Sequence, residues 1–263
     1  MFCGEHLLCA RLRRANQDAA AGTEAELERI VGRIRRAWPR TQILLRGDAG
    51  FCREALMRWC EAHGVDYVLG LAKNARLKAA IAESMALARA QHEASGHAAR
   101  VFAEFDYQTR HSWSHPRRVI AKAEHLAKGE NPRFIVTSLP GQDPQTLYEQ
   151  LYCARGEMEN RIKEQQLALF ADRTSTHEMR ANQLRLYFSS FAYVLMQTLR
   201  RVGLAGTALA KAQCQTIRLK LFKIGARISI SVRRLWIAFS ESYPQAALFA
   251  HVLARLQAIP IRA

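Results

Sequence analysis

Short apolar segments alternate with helical patterns through the first hundred residues, and this alternation constrains the fold more than any other feature of the sequence. Residues 42–45 and 67–71 form short apolar runs, which are typical of β-strands. Residues 2–12 also read as a strand. A capping-box pattern, Thr23-x-x-Glu26, predicts the start of the first intervening helix. Strands that alternate with helices indicate an α/β layer.

An acidic residue stands where such a layer commonly binds ligands. Helices are predicted at residues 54–63 and 77–92, each followed by a glycine that favours helix termination. Residues 42–45 read as a buried strand, and Asp48 follows it between two glycines. Because open α/β sheets place ligands at the carboxyl ends of their strands, Asp48 is the first candidate functional residue.

The pattern changes beyond residue 100. Residues 101–139 are rich in β-formers and predict antiparallel strands inserted into the α/β domain. Helical patterns then run from Asp143 to Phe170 and from Met179 to Arg201, and further helices with basic faces are expected after them. The predicted parts are residues 1–100, the first part of the core; 101–142, a β-rich insertion; 143–203, the helical remainder of the core; and 204–263, a basic helical C-terminal region.

The charge of the chain is strongly basic. The formal net charge is +16, and the pI is about 10.2. Residues 180–240 contain eleven lysines and arginines and no acid. Such an excess suits a polyanion, either nucleic acid or an anionic membrane surface, and a phosphate backbone is the favoured complement. The alternative is a basic protein without a specific polyanion ligand.

Two other classes of protein are disfavoured. The first residues lack a secretory signal, and the most apolar window, residues 184–199, is too short and too polar to span a bilayer. We therefore expect a cytoplasmic protein without a membrane partner. The six cysteines show no zinc-ligand spacing.

Two segments together indicate phosphoryl-transfer chemistry. Asp48–Phe51 reads D-A-G-F, and Tyr152, Arg155 and Glu159 follow at helical spacing i, i+3 and i+7. A carboxylate can bind Mg²⁺, a guanidinium can bind a phosphate through two hydrogen bonds, and a phenol can donate to a phosphate. The alternative is a solvated helix face with an ordinary ion pair.

With the β-rich insertion between them, D-x-G-[FY] and Y-x₂-R-x₃-E resemble the signature of bacterial insertion-sequence transposases of the DDE class. The resemblance implies an RNase H-like core, two Mg²⁺ or Mn²⁺ ions held by three carboxylates, and double-stranded DNA as substrate. It implies that Asp48 and Glu159 are the second and third catalytic acids and metal ligands, and that Tyr152 and Arg155 bind DNA near the cleaved end. It also suggests a homodimer and association with the nucleoid.

The chain departs from the family pattern after the glutamate. Where the family has a lysine seven positions later, this chain has Gln166, and Lys163 one turn earlier is the candidate substitute for that DNA contact. Glu157 is a rival to Glu159 as the metal ligand.

The first catalytic acid is the larger departure. In the family it lies on a strand that would precede the segment beginning at Phe2, so we expect this strand and its aspartate to be missing. Asp18 is the only aspartate before Asp48, and it lies in a polar loop. Because catalytic groups act as a unit, this chain alone is expected to be nearly inactive. The alternatives are a DNA-binding or subunit-binding remnant that inhibits intact transposase, and a decayed remnant.

Trp113 lies between His111 and the basic pair Arg117 and Arg118. Its indole is a candidate to stack on an unpaired base near the cleaved end. The alternative is a strand tryptophan that packs on the sheet, as large aromatic side chains commonly do.

Overall fold

The structure, a computed structural model, describes residues 1–260. These residues fall into two units. One comprises residues 13–156, and the other comprises residues 1–12 together with the chain from residue 157 onward. No helix of the described residues is long and apolar enough to cross a membrane.

Strands and helices alternate in the first part of the chain, and consecutive strands and then consecutive helices follow beyond Tyr107. Several of these helices end in a tighter or wider helical turn. The strands are β1 (Phe2–Cys3), β2 (His6–Leu7), β3 (Leu44–Gly47), β4 (Asp66–Leu71), β5 (Ala99–Tyr107), β6 (Arg117–Leu126), β7 (Gly129–Glu130), β8 (Arg133–Thr137), β9 (Ala226–Ile230) and β10 (Leu235–Phe239). The α-helices are α1 (Thr23–Ala37), α2 (Glu54–Ala62), α3 (Ala75–Ala80), α4 (Ala82–Ser95), α5 (Pro144–Thr146), α6 (Gly156–Lys163), α7 (Met179–Thr198), α8 (Cys214–Ile217) and α9 (Ala246–Gln257).

A six-stranded mixed sheet forms the centre of the unit 13–156. Its order is β3-β4-β8-β6-β5, and β7 pairs with β6. The β3–β4 pair is parallel, and the other pairs are antiparallel. The predicted mixed α/β architecture is thereby confirmed. The β-rich segment continues the same sheet, because β8 pairs directly with β4, and its inner face packs Ile120 and Ile135 against Leu147.

The helices of this unit begin and end close to their predicted positions, with two differences. Helix α1 starts at Thr23, but Gly22 precedes it with φ 74° and no side chain caps it, so the predicted capping box is wrong. The helix predicted at residues 77–92 is divided into α3 and α4. The division falls at Ile81, which is 1% exposed and packs into the core.

Two of the predicted strands differ from the observed ones. The strand predicted at residues 2–12 is wrong: β1 and β2 form a separate hairpin, in which the positive φ of Gly4 reverses the chain. The strand predicted at 42–45 is observed at Leu44–Gly47, and only Gly47 of it is buried. Within residues 1–260, β3 pairs on one side only, so it is an edge strand rather than the buried strand that its apolar run indicated.

The chain from Asp143 to Ala168 is helical, as predicted. The Asp143 carboxylate accepts a hydrogen bond from the Thr146 amide at 2.8 Å and caps α5. A π-helical turn at Leu147–Tyr152 and a 3₁₀ turn at Cys153–Arg155 then lead into α6. The type of helix therefore changes three times before Glu159, from α to π, from π to 3₁₀ and back to α.

The unit that contains α7 has its own core and one unpredicted element. Leu204, Cys214, Ile217 and Leu221 are buried together with Val252 of α9. The expectation of helices alone in the C-terminal region is wrong, because β9 and β10 form an antiparallel hairpin. Its alternating side chains have the two-residue period of a strand, which the basic charge of the region obscured.

Candidate functional site

Asp48 begins the turn that follows β3. Its backbone is extended, and its Oδ1 accepts a hydrogen bond from the amide of Gly50 at 2.9 Å. This bond caps the short 3₁₀ turn Ala49–Phe51. The carboxylate is exposed to solvent, so the backbone around it is ordered while the acid itself remains accessible to a ligand.

Gly70, on the neighbouring strand β4, lies beside this turn and beside Tyr152. A Cβ atom at Gly70 would lie 2.7 Å from the Tyr152 hydroxyl, 2.9 Å from the Ala49 amide nitrogen and 3.2 Å from the Asp48 carbonyl carbon. No side chain has room there, and the missing side chain lets the phenol and the Asp48 turn approach β4 together. Sequence reasoning missed Gly70, although a glycine within an apolar strand is a known signal of close approach.

Tyr152 occupies a half-buried position next to charged groups. Burial raises the pKa of Tyr152, the positive charge of Arg155 opposes this effect, and the negative charge of Asp48 adds to it. The phenol therefore stays protonated at neutral pH and can donate a hydrogen bond. The Arg155 guanidinium carbon lies 5.5 Å from the centroid of the Tyr152 ring. Two predicted site residues thus lie in contact.

Arg46 connects the strand that precedes Asp48 to the helical segment that carries Tyr152. Its Nη1 donates to the Leu151 carbonyl at 2.9 Å. Because Leu151 and Tyr152 are consecutive, this bond helps to set the position of the phenol relative to the end of β3. Asp48, Tyr152 and Arg155 therefore belong to one ordered neighbourhood within the unit 13–156.

Asp18 has a different set of partners. Arg53 donates to its Oδ2 from Nε at 3.0 Å and from Nη2 at 2.8 Å, and the Ala20 amide donates to its Oδ1 at 2.7 Å. The hydrogen bond from Ala20, followed by that from Arg53, lowers the pKa of Asp18. Ala19 lies close to the Asp48 turn, because its Cβ is 3.2 Å from the position of a Cβ at Gly50. The loop of Asp18 thus packs beside the candidate site, with its acid engaged by Arg53.

The remaining predicted residues of the signature lie on α6, in the other unit. Glu157, Glu159 and Lys163 are all exposed there. Across residues 1–260, no group of three or more histidine, cysteine, aspartate or glutamate side chains is placed to hold a metal ion. The donors that the structure brings together therefore do not form a metal centre on their own.

Trp113 is 7% exposed and packs inside its unit. Its ring meets Tyr107 edge-on at 5.7 Å, and the Arg117 guanidinium carbon lies 5.5 Å from its centroid. The same guanidinium donates to Glu54 at 2.6 Å and to Glu61 at 2.7 Å. This burial supports the packing interpretation of Trp113, although the residue lies in the connection between β5 and β6 and not in a strand as that interpretation assumed.

Residues 180–240, which contain no acid, include cations that bind other groups of the protein and cations that are exposed to solvent. Arg200 is buried and forms an ion pair with Glu164, which lies outside these residues in sequence. Arg218 donates to the Ala168 carbonyl. By contrast, Arg227 and Arg234 are exposed. The excess positive charge available to a partner is therefore smaller than the count of eleven implies.

Comparison with models of protein families gives a match that covers nearly the whole chain. A search of curated proteins found none similar to this chain. The family model described as transposase DDE domain group 1 matches residues 1–261. A match over this length shows that the chain belongs to the transposase DDE domain family.

Proposed function

We propose that this chain carries catalytic residues of a DNA transposase with an RNase H-like core, an enzyme that cleaves the ends of an insertion sequence and transfers the strands by metal-dependent phosphoryl transfer. One observation carries the proposal: the exposed Asp48 carboxylate follows a strand end, and the backbone turn that Asp48 begins lies beside the Tyr152 hydroxyl. The family match adds support over residues 1–261. An acid beside a hydrogen-bond donor is suited to a site for a phosphodiester.

Asp48 and Glu159 are the proposed ligands of Mg²⁺ or Mn²⁺, since exposed carboxylates are the hard oxygen donors that these ions prefer. Bound metal would supply activation of the attacking oxygen. The described residues assemble no group of three such ligands. Glu157 remains the alternative to Glu159.

The proposed roles of the other residues concern DNA binding. Tyr152 keeps its proton because burial raises its pKa, so it can donate a hydrogen bond to a phosphate oxygen near the cleaved end. Arg155, next to the phenol ring, supplies a guanidinium that suits a phosphate. Lys163 is exposed on α6 and is proposed to contact the DNA backbone.

The test is cleavage of a supercoiled plasmid that carries the gene with its flanking DNA, in Mg²⁺ and in Mn²⁺. Because the chain alone is expected to be nearly inactive, the residual cleavage by the parent is the reference, and Asp48→Asn is expected to abolish it while leaving DNA binding intact. Asp106→Asn, which changes another exposed aspartate of the same unit, is the matched control and should cleave like the parent. Equal cleavage by Asp48→Asn and the parent would remove Asp48 from the catalytic site.

A second candidate function is a non-catalytic DNA-binding or subunit-binding protein that inhibits intact transposase. The run of eleven basic residues without an acid favours it. Parent protein that binds DNA without cleaving it would support this candidate. If about six to ten phosphates are contacted, binding should weaken roughly 10³–10⁵-fold between about 50 and 200 mM salt.

Glu159→Gln and Glu157→Gln distinguish the two glutamates of α6. The proposed assignment predicts that Glu159→Gln abolishes cleavage and that Glu157→Gln retains it. The reverse pattern would assign the ligand to Glu157.

A further inference from the structure

The β9–β10 hairpin packs against its unit at the base and is exposed to solvent toward its tip. At its base, the ring of Phe239 contacts Phe249 of α9 at 5.5 Å, and the Ser240 amide donates to the Gly225 carbonyl at 3.0 Å. Relative exposure rises from 49% at Phe239 to 102% at Val232 in the tip. The base is therefore anchored, and the far end is surrounded by solvent.

The turn at the tip is ordered and basic. The Ser231 amide donates to the Arg234 carbonyl at 2.9 Å, which closes the turn. Arg233 and Arg234 lie within it, and both are exposed. Two neighbouring guanidinium groups thus stand at the end of the hairpin that lies farthest from the body of its unit.

The strand register gives the hairpin two different faces, because residues directly opposite each other share a face. One face contains Arg227 opposite Ala238 and Ser229 opposite Trp236. Trp236 is 61% exposed, so this face presents an arginine, a hydroxyl and an indole. The other face consists of three apolar pairs: Ala226 with Phe239, Ile228 with Ile237, and Ile230 with Leu235.

The positive charge of the hairpin is not neutralised locally. Residues 180–240 contain no acid, and the next acid, Glu241, follows the base rather than the tip. Among the described residues, Arg227, Arg233 and Arg234 form no ion pair. Three exposed guanidinium groups on one narrow element form an electrostatic complement to a phosphate backbone.

We infer that the β9–β10 hairpin is a DNA-binding element that places its Arg227–Trp236 face and its tip arginines against duplex DNA. The inference rests on the proposed action of the chain on DNA. A two-stranded β-ribbon fits the major groove, which is about 12 Å wide. Guanidinium groups then bind phosphates on the groove walls, which positions the protein independently of base sequence.

The test compares two triple variants of the full chain by their affinity for a random-sequence DNA duplex at several salt concentrations. Arg227→Gln, Arg233→Gln and Arg234→Gln remove the hairpin charges. Arg33→Gln, Arg40→Gln and Arg58→Gln remove three exposed charges elsewhere and serve as the matched control, since both sets lower the net charge equally. Thermal unfolding of both variants should match that of the parent.

The expected result is a loss of about three units of salt slope for the hairpin variant, because each lost phosphate contact removes about 0.9 unit. The control should keep the slope of the parent. Equal slopes for the two variants would overturn the inference. Hairpin-dependent binding to phosphatidylglycerol vesicles without a change in DNA affinity would also overturn it.

The plasmid cleavage assay separates this inference from the proposed function. Cleavage by the parent together with an unchanged salt slope in the hairpin variant would overturn the hairpin role alone. A reduced slope without cleavage by the parent would support the hairpin role and count against the catalytic proposal. No DNA binding by the parent would overturn both.

Discussion

Gly70→Ala is the substitution that most directly tests the geometry of the candidate site. It adds one methyl group at the point where β4, the Asp48 turn and Tyr152 meet. Gly70 does not have a positive φ, so alanine fits its backbone conformation. Any loss of stability therefore comes from steric contact. The new Cβ would lie 2.7 Å from the Tyr152 hydroxyl and 2.9 Å from the Ala49 nitrogen.

The magnitude follows from which of these contacts can relax. The hydroxyl is the end of a side chain and can move, but the Ala49 nitrogen belongs to the backbone of a short turn. Overpacking of this kind costs about 1–3 kcal/mol, and the lower entropy of an unfolded chain with alanine returns roughly 0.5–1 kcal/mol. We expect a net loss on the order of 1–2 kcal/mol in the free energy of unfolding, measured by urea denaturation.

Two further variants make the measurement specific. Gly32→Ala, in the exposed middle of α1, meets nothing within 4 Å and should raise stability by about 0.5–1 kcal/mol. Tyr152→Phe removes the hydroxyl, but the new Cβ at position 70 still meets the Ala49 nitrogen. Adding Tyr152→Phe to Gly70→Ala should therefore restore only part of the lost stability. The coupling in this double-mutant cycle should be at least about 0.5 kcal/mol. A Gly70→Ala protein as stable as the parent, or one without coupling to Tyr152, would refute the geometry.

Three other predictions concern charge and thiol chemistry. Arg117→Ala leaves the carboxylates of Glu54 and Glu61 without their partner and should cost on the order of 3 kcal/mol in urea denaturation, the low end for a buried pair because both acids keep some solvent contact. Burial raises the pKa of Glu54 and Glu61, but the hydrogen bonds and charge of Arg117, together with hydrogen bonds from Ser114 to Glu54 and from Tyr67 to Glu61, outweigh burial and hold each pKa below its usual value. The resulting stability is present above the unfolded pKa of about 4.3 and is lost as pH falls through the lower folded pKa. A parent that stays equally stable as acid is added would contradict this. Burial raises the pKa of Cys214 to about 12, so a thiol reagent at neutral pH should modify the exposed Cys3 and reach Cys214 only in denaturant; rapid native labelling of Cys214 would disprove its burial.

The elements that the sequence predicts well are those specified by local signals. Helix α2 ends before Gly64, whose φ is 57°, and α5 begins at the Asp143 cap. Asp48 begins a short turn after a strand, as its flanking glycines indicated. Each of these features depends on the conformation of a few consecutive residues, and the local sequence indicates that conformation directly.

Elements specified by distant neighbours are predicted less well. The apolar run that contains Leu44 reads as a buried strand, but β3 has a partner on one side only and remains largely exposed. The segment that begins at Phe2 has the composition of a strand, yet the chain reverses at Gly4. The ring of Phe2 packs against the ring of Tyr193, with 5.6 Å between the centroids, and not against the central sheet. In both segments burial depends on what lies alongside, and the local sequence does not contain that information.

Gly70 shows the same limit at the candidate site. A glycine inside a strand marks either a bulge or the close approach of another part of the chain. The register of β4 is continuous through its pairing of Gly70 with Ile135, so there is no bulge and close approach is the remaining reason. The groups that approach are the Asp48 turn and Tyr152, two segments that the signature motifs had already singled out for their chemistry. The motifs therefore indicate which groups can bind a phosphodiester, whereas the absent side chain of Gly70 is what allows two of those groups to lie next to each other.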